Sequence, residues 1–414
     1  MASAPGRGRA YQWVLVGLLS LNFGIVFFDR NSINALMPFI QPELKLSNTQ
    51  IGALASALAF SWALAGLFVG RLSDALGKRK IILVVAALVF SGASLLSGLA
   101  RSYAMLLGAR LIMGIAEGGV MPISQALVAA EVEPQRRGLA MGAAQNFGAN
   151  LLGNTLAPLV LTTFALAFGW RTAFNLAAVP GFLVALLMLW LIREPDVKSV
   201  AVVRERPWLS AVDVLRLRNV WLCVVLSILL VAFLVVFLAF TPNYLVHVRG
   251  MDPRVQSWLI SMWGLPSMLY AFLIPGSSDF IGRRPIVIVM GAASALIPLS
   301  LLFVEGGPVW PLFVLFGLGA TVSGVYPLVM ATIPSETVPA SQLATVMGLT
   351  MGLGEIVGGV VSPTLAGMAA DAFGPRAIFW ILVGISAAIF AFACGLTETA
   401  PAALRRRGFA LSSP

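Results

Sequence analysis

Apolar residues run in membrane-length blocks along all 414 residues of the chain, separated by short polar stretches. An α-helix rises about 1.5 Å per residue, so about 20 apolar residues cross about 30 Å of hydrocarbon. The blocks predict twelve spans, roughly 11–40, 48–70, 79–100, 103–129, 137–166, 170–192, 217–245, 254–280, 283–304, 309–332, 340–370 and 375–396. Only one hydrophilic stretch is long, Arg193–Arg218, which carries Arg204-Glu-Arg-Pro-Trp208 and has six spans on either side. The pattern therefore predicts an all-α integral membrane protein. It has a six-helix bundle over 1–192, a linker over 193–216, and a second bundle with its tail over 217–414. The other loops are too short to hold a soluble catalytic domain.

Composition fits that class: 59% of residues are hydrophobic and 11% charged, against about 25% charged in an average soluble domain. The net charge of +10 comes from basic residues spread over short loops, which suits anionic lipid and not nucleic acid. An even number of spans puts both termini on one side. With them inside, the cytoplasmic loops hold Arg7, Arg9, Arg71, Lys78, Arg79, Lys80, Arg136, Arg137, six residues from Arg193 to Arg218, Arg283, Arg284 and Arg405–Arg407. Only Lys45, Arg101, Arg171, Arg249, Arg254 and Arg376 face outward, so the positive-inside rule sets both tails in the cytoplasm. Met1–Arg9 reads as a short basic tail, and the run after it is long enough to remain as a helix. The absence of any Asn-x-Ser/Thr sequon favours a prokaryotic inner membrane. Cys223 and Cys394 lack metal-like spacing and read as small core residues. The one histidine, His247, ends a span beside Arg249 and reads as an interface residue, with proton relay as the minor alternative.

The chain also repeats itself. Gly70-Arg-Leu-Ser-Asp74-Ala-Leu-Gly77-Lys-Arg79-Lys80 follows span two, and Gly276-Ser-Ser-Asp279-Phe-Ile-Gly282-Arg283-Arg284 follows span eight, with the aspartates 205 positions apart. Independently, Met141-Gly142, Gly148 and Gly153 match Met347-Gly348, Gly354 and Gly359 at an offset of 206. Two unrelated motifs at nearly one offset indicate duplication of a six-helix unit. In the loop motif, glycine permits the tight turn while aspartate caps a helix or holds the arginines.

Four charges stand inside apolar runs: Asp29 and Arg30 in span one, Arg110 and Glu117 in span four. Each costs about 2.5 kcal/mol or more at the centre of a bilayer, so such charges face a partner, a cavity or an ion path. Arg110 and Glu117 are seven residues apart, two helical turns on one face, with Gly114 between them. Arg30 stays charged and suits a carboxylate, whereas Asp29 and Glu117 can take up and release protons. Arg110 is expected to hold Glu117 ionised, the alternative being a plain structural bridge. Gln145, Asn146, Asn150 and Tyr326 can line a polar site or bond helix to helix. Glu355 can be a further site group or a protonated packing residue, and Trp263, Phe28 and Met262 can form an apolar wall or face lipid.

The loop motif, its echo and the six-plus-six arrangement resemble the major facilitator superfamily over essentially the full length. That resemblance implies two pseudo-symmetric halves, a midplane site between them and rocking alternating access. Asp29-Arg30, Arg110, Glu117 and the Asn243-Tyr244-Leu-Val-x-x-Arg249-Gly-Met251 stretch resemble the anion:cation symporter branch, with its bacterial sugar-acid/proton symporters and relatives of sialin and vesicular glutamate transporters. That branch tends to carry tyrosines where this chain has Phe27 and Trp62, and a Gln-x-Pro-Gly run where it has Gly66-Leu-Phe-Val-Gly70. The departures favour an organic anion with a more apolar body than a sugar acid. On helix five the antiporter Gly/Pro pattern is degraded in Gly153-Asn-Thr-Leu-Ala-Pro158, which slightly favours symport.

The sequence thus predicts a proton-coupled symporter of an organic anion, a monocarboxylate, acting as a monomer in the lipid bilayer, with Na⁺ left open as the coupling ion. Export of lipophilic acids or drugs is the second reading. One histidine and no metal-ligand cluster exclude a membrane enzyme, and no cofactor or metal is implied. No repeated filter loop suggests a channel. The motif generates one prediction: Asp74→Asn slows transport several-fold and leaves substrate affinity unchanged, because the loop lies at the cytoplasmic rim. Parallel turnover and binding measurements check it, and a fall in affinity alone would remove the loop from conformational control.

Overall fold

Helices surrounded by hydrocarbon gain little by hiding apolar surface from one another, so they associate where small residues let backbones meet. The computed structural model, which describes residues 9–133, 136–194, 213–304, 306–339 and 342–406, is organised by such contacts. Twelve helices among the described residues are long and apolar enough to cross a membrane. They are α1 (Ala10–Leu44), α2 (Asn48–Leu76), α3 (Arg79–Gly98), α4 (Tyr103–Glu131), α5 (Ala140–Phe168), α6 (Trp170–Leu191), α7 (Arg218–His247), α8 (Pro253–Ile281), α9 (Arg283–Phe303), α10 (Trp310–Thr337), α11 (Thr345–Phe373) and α12 (Ala377–Cys394). Each overlaps a span read from the hydropathy pattern. Local signals set the ends. Ser47 and Gln50 form a reciprocal capping box at the start of α2, and Ser102 accepts the Met105 amide at the start of α4.

The described residues of Met1–Val202 and Leu245–Ser261 form one compact unit, and those of Val203–Tyr244 and Met262–Pro414 another. Most of the stretch expected as a linker lies outside the described residues. In the first unit α1 meets α5 at Gly148, where a Cβ would run into the Ser20 carbonyl. Ser20 also donates its hydroxyl to the Ala143 carbonyl (3.0 Å) and accepts the Gly148 amide (3.2 Å). In the second unit α7 meets α11 at Gly354, which packs on Ser227, whose hydroxyl donates to the Thr350 carbonyl (2.7 Å). The repeat seen in the sequence therefore recurs as an equivalent helix contact in each unit. Both partner helices also widen into π-helix around that contact, over Ala143–Phe147 and Ala149–Leu156 on either side of Gly148 and over Gly354–Val361 in α11.

The duplicated loop is built as its glycines require. Gly77 ends α2 at φ 62° and Gly282 precedes α9 at φ 117°, conformations that side chains disfavour. Arg283 pairs with Asp279 (2.6 Å) and Glu336 (2.9 Å), and the Glu398 carboxylate accepts the backbone amides of Arg283 (2.8 Å) and Arg284 (3.3 Å). Thr399 donates to Glu336 (2.6 Å). The first copy has a matching cap, with the Lys80 amide donating to the Glu194 carboxylate (3.1 and 3.3 Å). Arg79 reaches the Ala126 carbonyl (3.2 Å). The side chain of Asp74 lies outside the described residues.

One sequence reading changes. Cys394 is exposed on α12 and is not a core residue, because the helix turns that position outward; Cys223 is buried as expected. His247, exposed at the end of its span, also bonds another helix. Pro42 has no N–H to offer the Pro38 carbonyl four residues back in α1, and His247 Nε2 donates to that oxygen at 2.7 Å.

The α1–α5 contact can be tested by a matched pair of substitutions. Gly148→Ala is expected to destabilise the protein by about 1–3 kcal/mol, since the added carbon meets backbone that must move. Gly142→Ala, with nothing within 4 Å of the new Cβ, is expected to be neutral or stabilising. Thermal denaturation in detergent reads the difference, and equal midpoints would dismiss the contact as a constraint.

Candidate functional site

The closest approach between α2 and α4 builds the site. A Cβ at Gly114 would strike Ser61 Oγ and the Leu58 carbonyl, and one at Gly118 would strike the Trp62 carbonyl. The small residue foreseen between Arg110 and Glu117 thus seats α2 against them and brings Trp62 to the same region. Asp29, Arg110 and Glu117 are 0%, 1% and 1% exposed, which makes this a fully desolvated charge cluster.

Each charge has a different surrounding. Asp29 Oδ1 accepts the Ser94 hydroxyl from α3 at 2.6 Å, and its Oδ2 has no hydrogen-bond partner. Arg110 Nη1 donates to the Arg30 carbonyl on α1 and lies beside Met113 Sδ, both at 3.3 Å, leaving Nε and Nη2 unpartnered. Neither oxygen of Glu117 has a hydrogen-bond partner, although Arg30, Asp29 and Arg110 all act on it electrostatically. The expected Arg110–Glu117 bridge is therefore absent. Two turns separate the residues by about 10 Å along the axis, and Arg110 crosses to α1 instead.

Arg30 is only half-buried. Its guanidinium carbon lies 5.7 Å from the centre of the Phe27 ring and 5.7 Å from that of Trp62, within cation–π range. Its guanidinium makes no hydrogen bond or ion pair with the protein among the described residues. A planar cation flanked by two rings, with its N–H donors free, has the chemistry to donate two hydrogen bonds to a carboxylate or similar anion. Asp29 next door does not pair with it, because successive helical side chains point about 100° apart.

Further polar groups lie where α1 faces α5. Asn146 and Asn150 were foreseen; Asn31, Asn34 and Asn154 were not. Asn31 Nδ2 donates to Asn154 Oδ1 (2.9 Å) and to the Gly153 carbonyl (3.1 Å), and Asn154 Nδ2 donates to Asn150 Oδ1 (3.0 Å). The spacing 146, 150, 154 was present in the sequence and could have found Asn154. Nothing in the sequence pointed to Ser94. Gln145 is half-buried, and its Nε2 has no partner.

The other candidates sit in the second unit. Tyr326 donates its hydroxyl to the Leu230 carbonyl at 2.5 Å, so it holds α10 to α7. Glu355 lies on the π segment of α11 and acts electrostatically on Tyr326. Trp263 is 2% exposed, packs on Phe237 with ring centres 5.6 Å apart, and has an unpartnered Nε1.

Comparison with known proteins identifies the family and the fold. A model of the Major Facilitator Superfamily matches residues 19–359, with a second match over 236–411. The chain is 27% identical over 258 residues to a probable sulfoacetate transporter of Cupriavidus necator, covering 58% of each protein. It is 28% identical over 339 residues to a probable 4-methylmuconolactone transporter of Cupriavidus pinatubonensis, covering 80% of this chain and 78% of the relative. A multidrug resistance protein of Dickeya zeae is 28% identical over 376 residues, covering 87% of this chain and 89% of that one. Among solved structures, a bacterial homolog of the human lysosomal transporter Spinster superposes with a TM-score of 0.75 at 19% identity, covering 94% of this chain and 97% of that one. A nucleoside transporter superposes with a TM-score of 0.74 at 17% identity, covering 92% of this chain and all of that one. These two likenesses speak to the fold alone. From the family match, the twelve spans and the transporter relatives together, the chain belongs to the major facilitator superfamily: it is a multi-pass membrane transporter and not an enzyme.

Proposed function

We propose that this transporter imports an organic anion, a monocarboxylate with a partly apolar body, by proton-coupled symport and alternating access. The setting is a bacterial inner membrane with both termini cytoplasmic. The carrying observation is Arg30, half-buried between the rings of Phe27 and Trp62 with its guanidinium donors free of protein partners. A carboxylate takes two parallel hydrogen bonds from that fork while the rings cover the adjoining apolar part of the substrate. The relatives named for sulfoacetate and 4-methylmuconolactone transport support an organic-acid substrate. Asp29 and Glu117 are the coupling carboxylates. Buried beside two arginines and incompletely hydrogen-bonded, they exchange a proton as the anion arrives at or leaves Arg30.

Export of lipophilic acids or drugs is the second reading, supported by the multidrug resistance relative and by the aromatic collar. Uptake against efflux under an imposed pH gradient separates the two directions.

Two outcomes are expected. Arg30→Lys keeps the charge and loses the fork, so affinity falls about tenfold or more, the worth of one charge-assisted hydrogen bond. Calorimetric titration with a panel of monocarboxylates reads it, and wild-type affinity in a folded variant would take Arg30 out of the site. Glu117→Gln is expected to lose pH-driven accumulation in liposomes and to keep counterflow exchange, because exchange requires no net proton release; Asp29→Asn impairs accumulation as well. Normal pH-driven accumulation by the doubly neutralised protein would sink the coupling assignment. Accumulation driven only by a sodium gradient would put Na⁺ in the proton's place.

A further inference from the structure

A file of carboxamides begins one residue beyond Arg30. Asn34 Nδ2 lies 3.4 Å from Asn31 Oδ1, and Asn31 donates to Asn154 (2.9 Å). Asn154 donates to Asn150 (3.0 Å), Asn150 to the Asn146 carbonyl (3.0 Å), and Asn146 to the Gly142 carbonyl (3.3 Å). Four residues along an α-helix carry a side chain about 40° around the axis. Asn146, Asn150 and Asn154 lie in a stretch that widens into π-helix over Ala143–Phe147 and Ala149–Leu156, with one more residue in each hydrogen-bonded turn.

The file adjoins the anion clamp. Gly153 packs on the Cβ and backbone of Phe27 and accepts Asn31 on its carbonyl, and the ring of Phe27 flanks Arg30. Asn34 stands one turn, about 6 Å, along α1 from Arg30 on the same face. Each carboxamide offers two donors and one acceptor oxygen, so the file keeps spare capacity: Asn34 Oδ1, Asn146 Oδ1 and one N–H each of Asn150 and Asn154 bind nothing among the described residues. Asn34, Asn146, Asn150 and Asn154 are half-buried in membrane-crossing helices. Contact with hydrocarbon there would be costly, so these amides face a polar interior. Amides that only glued helices together would be buried and saturated.

We infer that this amide file is a second subsite that reads a neutral hydrogen-bonding group on the body of the anion. The preferred substrates are ring monocarboxylates with a hydroxyl or carbonyl oxygen about 6 Å, one helical turn, from the carboxylate. The inference rests on Arg30 being the carboxylate clamp.

The probes are cyclohexanecarboxylate and its trans-4-hydroxy and trans-4-methyl derivatives, titrated into the purified full-length protein. The wild type is expected to bind the hydroxy acid about tenfold more tightly than the methyl acid, because the methyl acid would cover the amides and leave their spare groups unpaired. Asn34→Leu and Asn150→Leu are expected to abolish that preference while cyclohexanecarboxylate binds as before, which also certifies the fold. Asn34 makes only the longest bond of the file, so its variant gives a reading even where Asn150→Leu does not fold. If the acids bind through Arg30, shown by loss in Arg30→Lys, and the wild type does not prefer the hydroxy acid, the inference alone is overturned. It is overturned too if both Leu variants keep the preference. If Arg30→Lys leaves binding of all three unchanged, the clamp reading and this inference fall together.

Discussion

Where no water drives helices together, the approach of backbones at glycine decides the rest of the structure. Gly148 on Ser20 sets α5 against α1, and Gly114 and Gly118 set α4 against α2. Each seam supplies part of the site, and the bond from Arg110 to the Arg30 carbonyl joins the two pairs. Phe27, Arg30 and Asn31 come from α1, Trp62 from α2, Arg110 and Glu117 from α4, and the amides from α5. The second unit uses the same device at Gly354 and Gly358, which meet Ser227 and the Ile228 carbonyl.

The charges are arranged around a difference in burial. Asp29, Arg110 and Glu117 are shut away from solvent, whereas Arg30 is held open between two rings. Buried charges in a low-dielectric interior interact over longer distances than charges in water. The cluster can therefore respond to a ligand at Arg30 without a direct ion pair. Arg110 links the two regions: its guanidinium holds the carbonyl of Arg30 itself.

Most of the fold was legible in the sequence, because a bilayer imposes length and polarity on each helix. The approximate spans, the duplication and the choice of Asp29, Arg30, Arg110 and Glu117 as candidates all followed from that. Periodicity shows which face a residue occupies and not how far its side chain reaches. Hence Arg110 and Glu117 were placed on one face correctly and paired wrongly. Ser94, and the carboxylates Glu194 and Glu398, act on residues 65, 114 and 115 positions away, a separation no local pattern encodes. Cys394 was misread because an apolar run in a membrane helix does not distinguish the packed side from the lipid side.

The two carboxylate caps bear on how the chain matures. Glu194 follows α6 and holds the start of α3, and Glu398 follows α12 and holds the start of α9. In each repeat, the residue that fastens the third helix is made only after the sixth. During synthesis the first repeat can lock itself as soon as Glu194 has emerged, while α7 and its successors are still being made. Assembly would then proceed as two successive closures, each completed by the last residues of its own repeat. A ribosome pause after Glu194 would leave the third helix of the first repeat already fastened, whereas a pause before it would leave that helix without its cap.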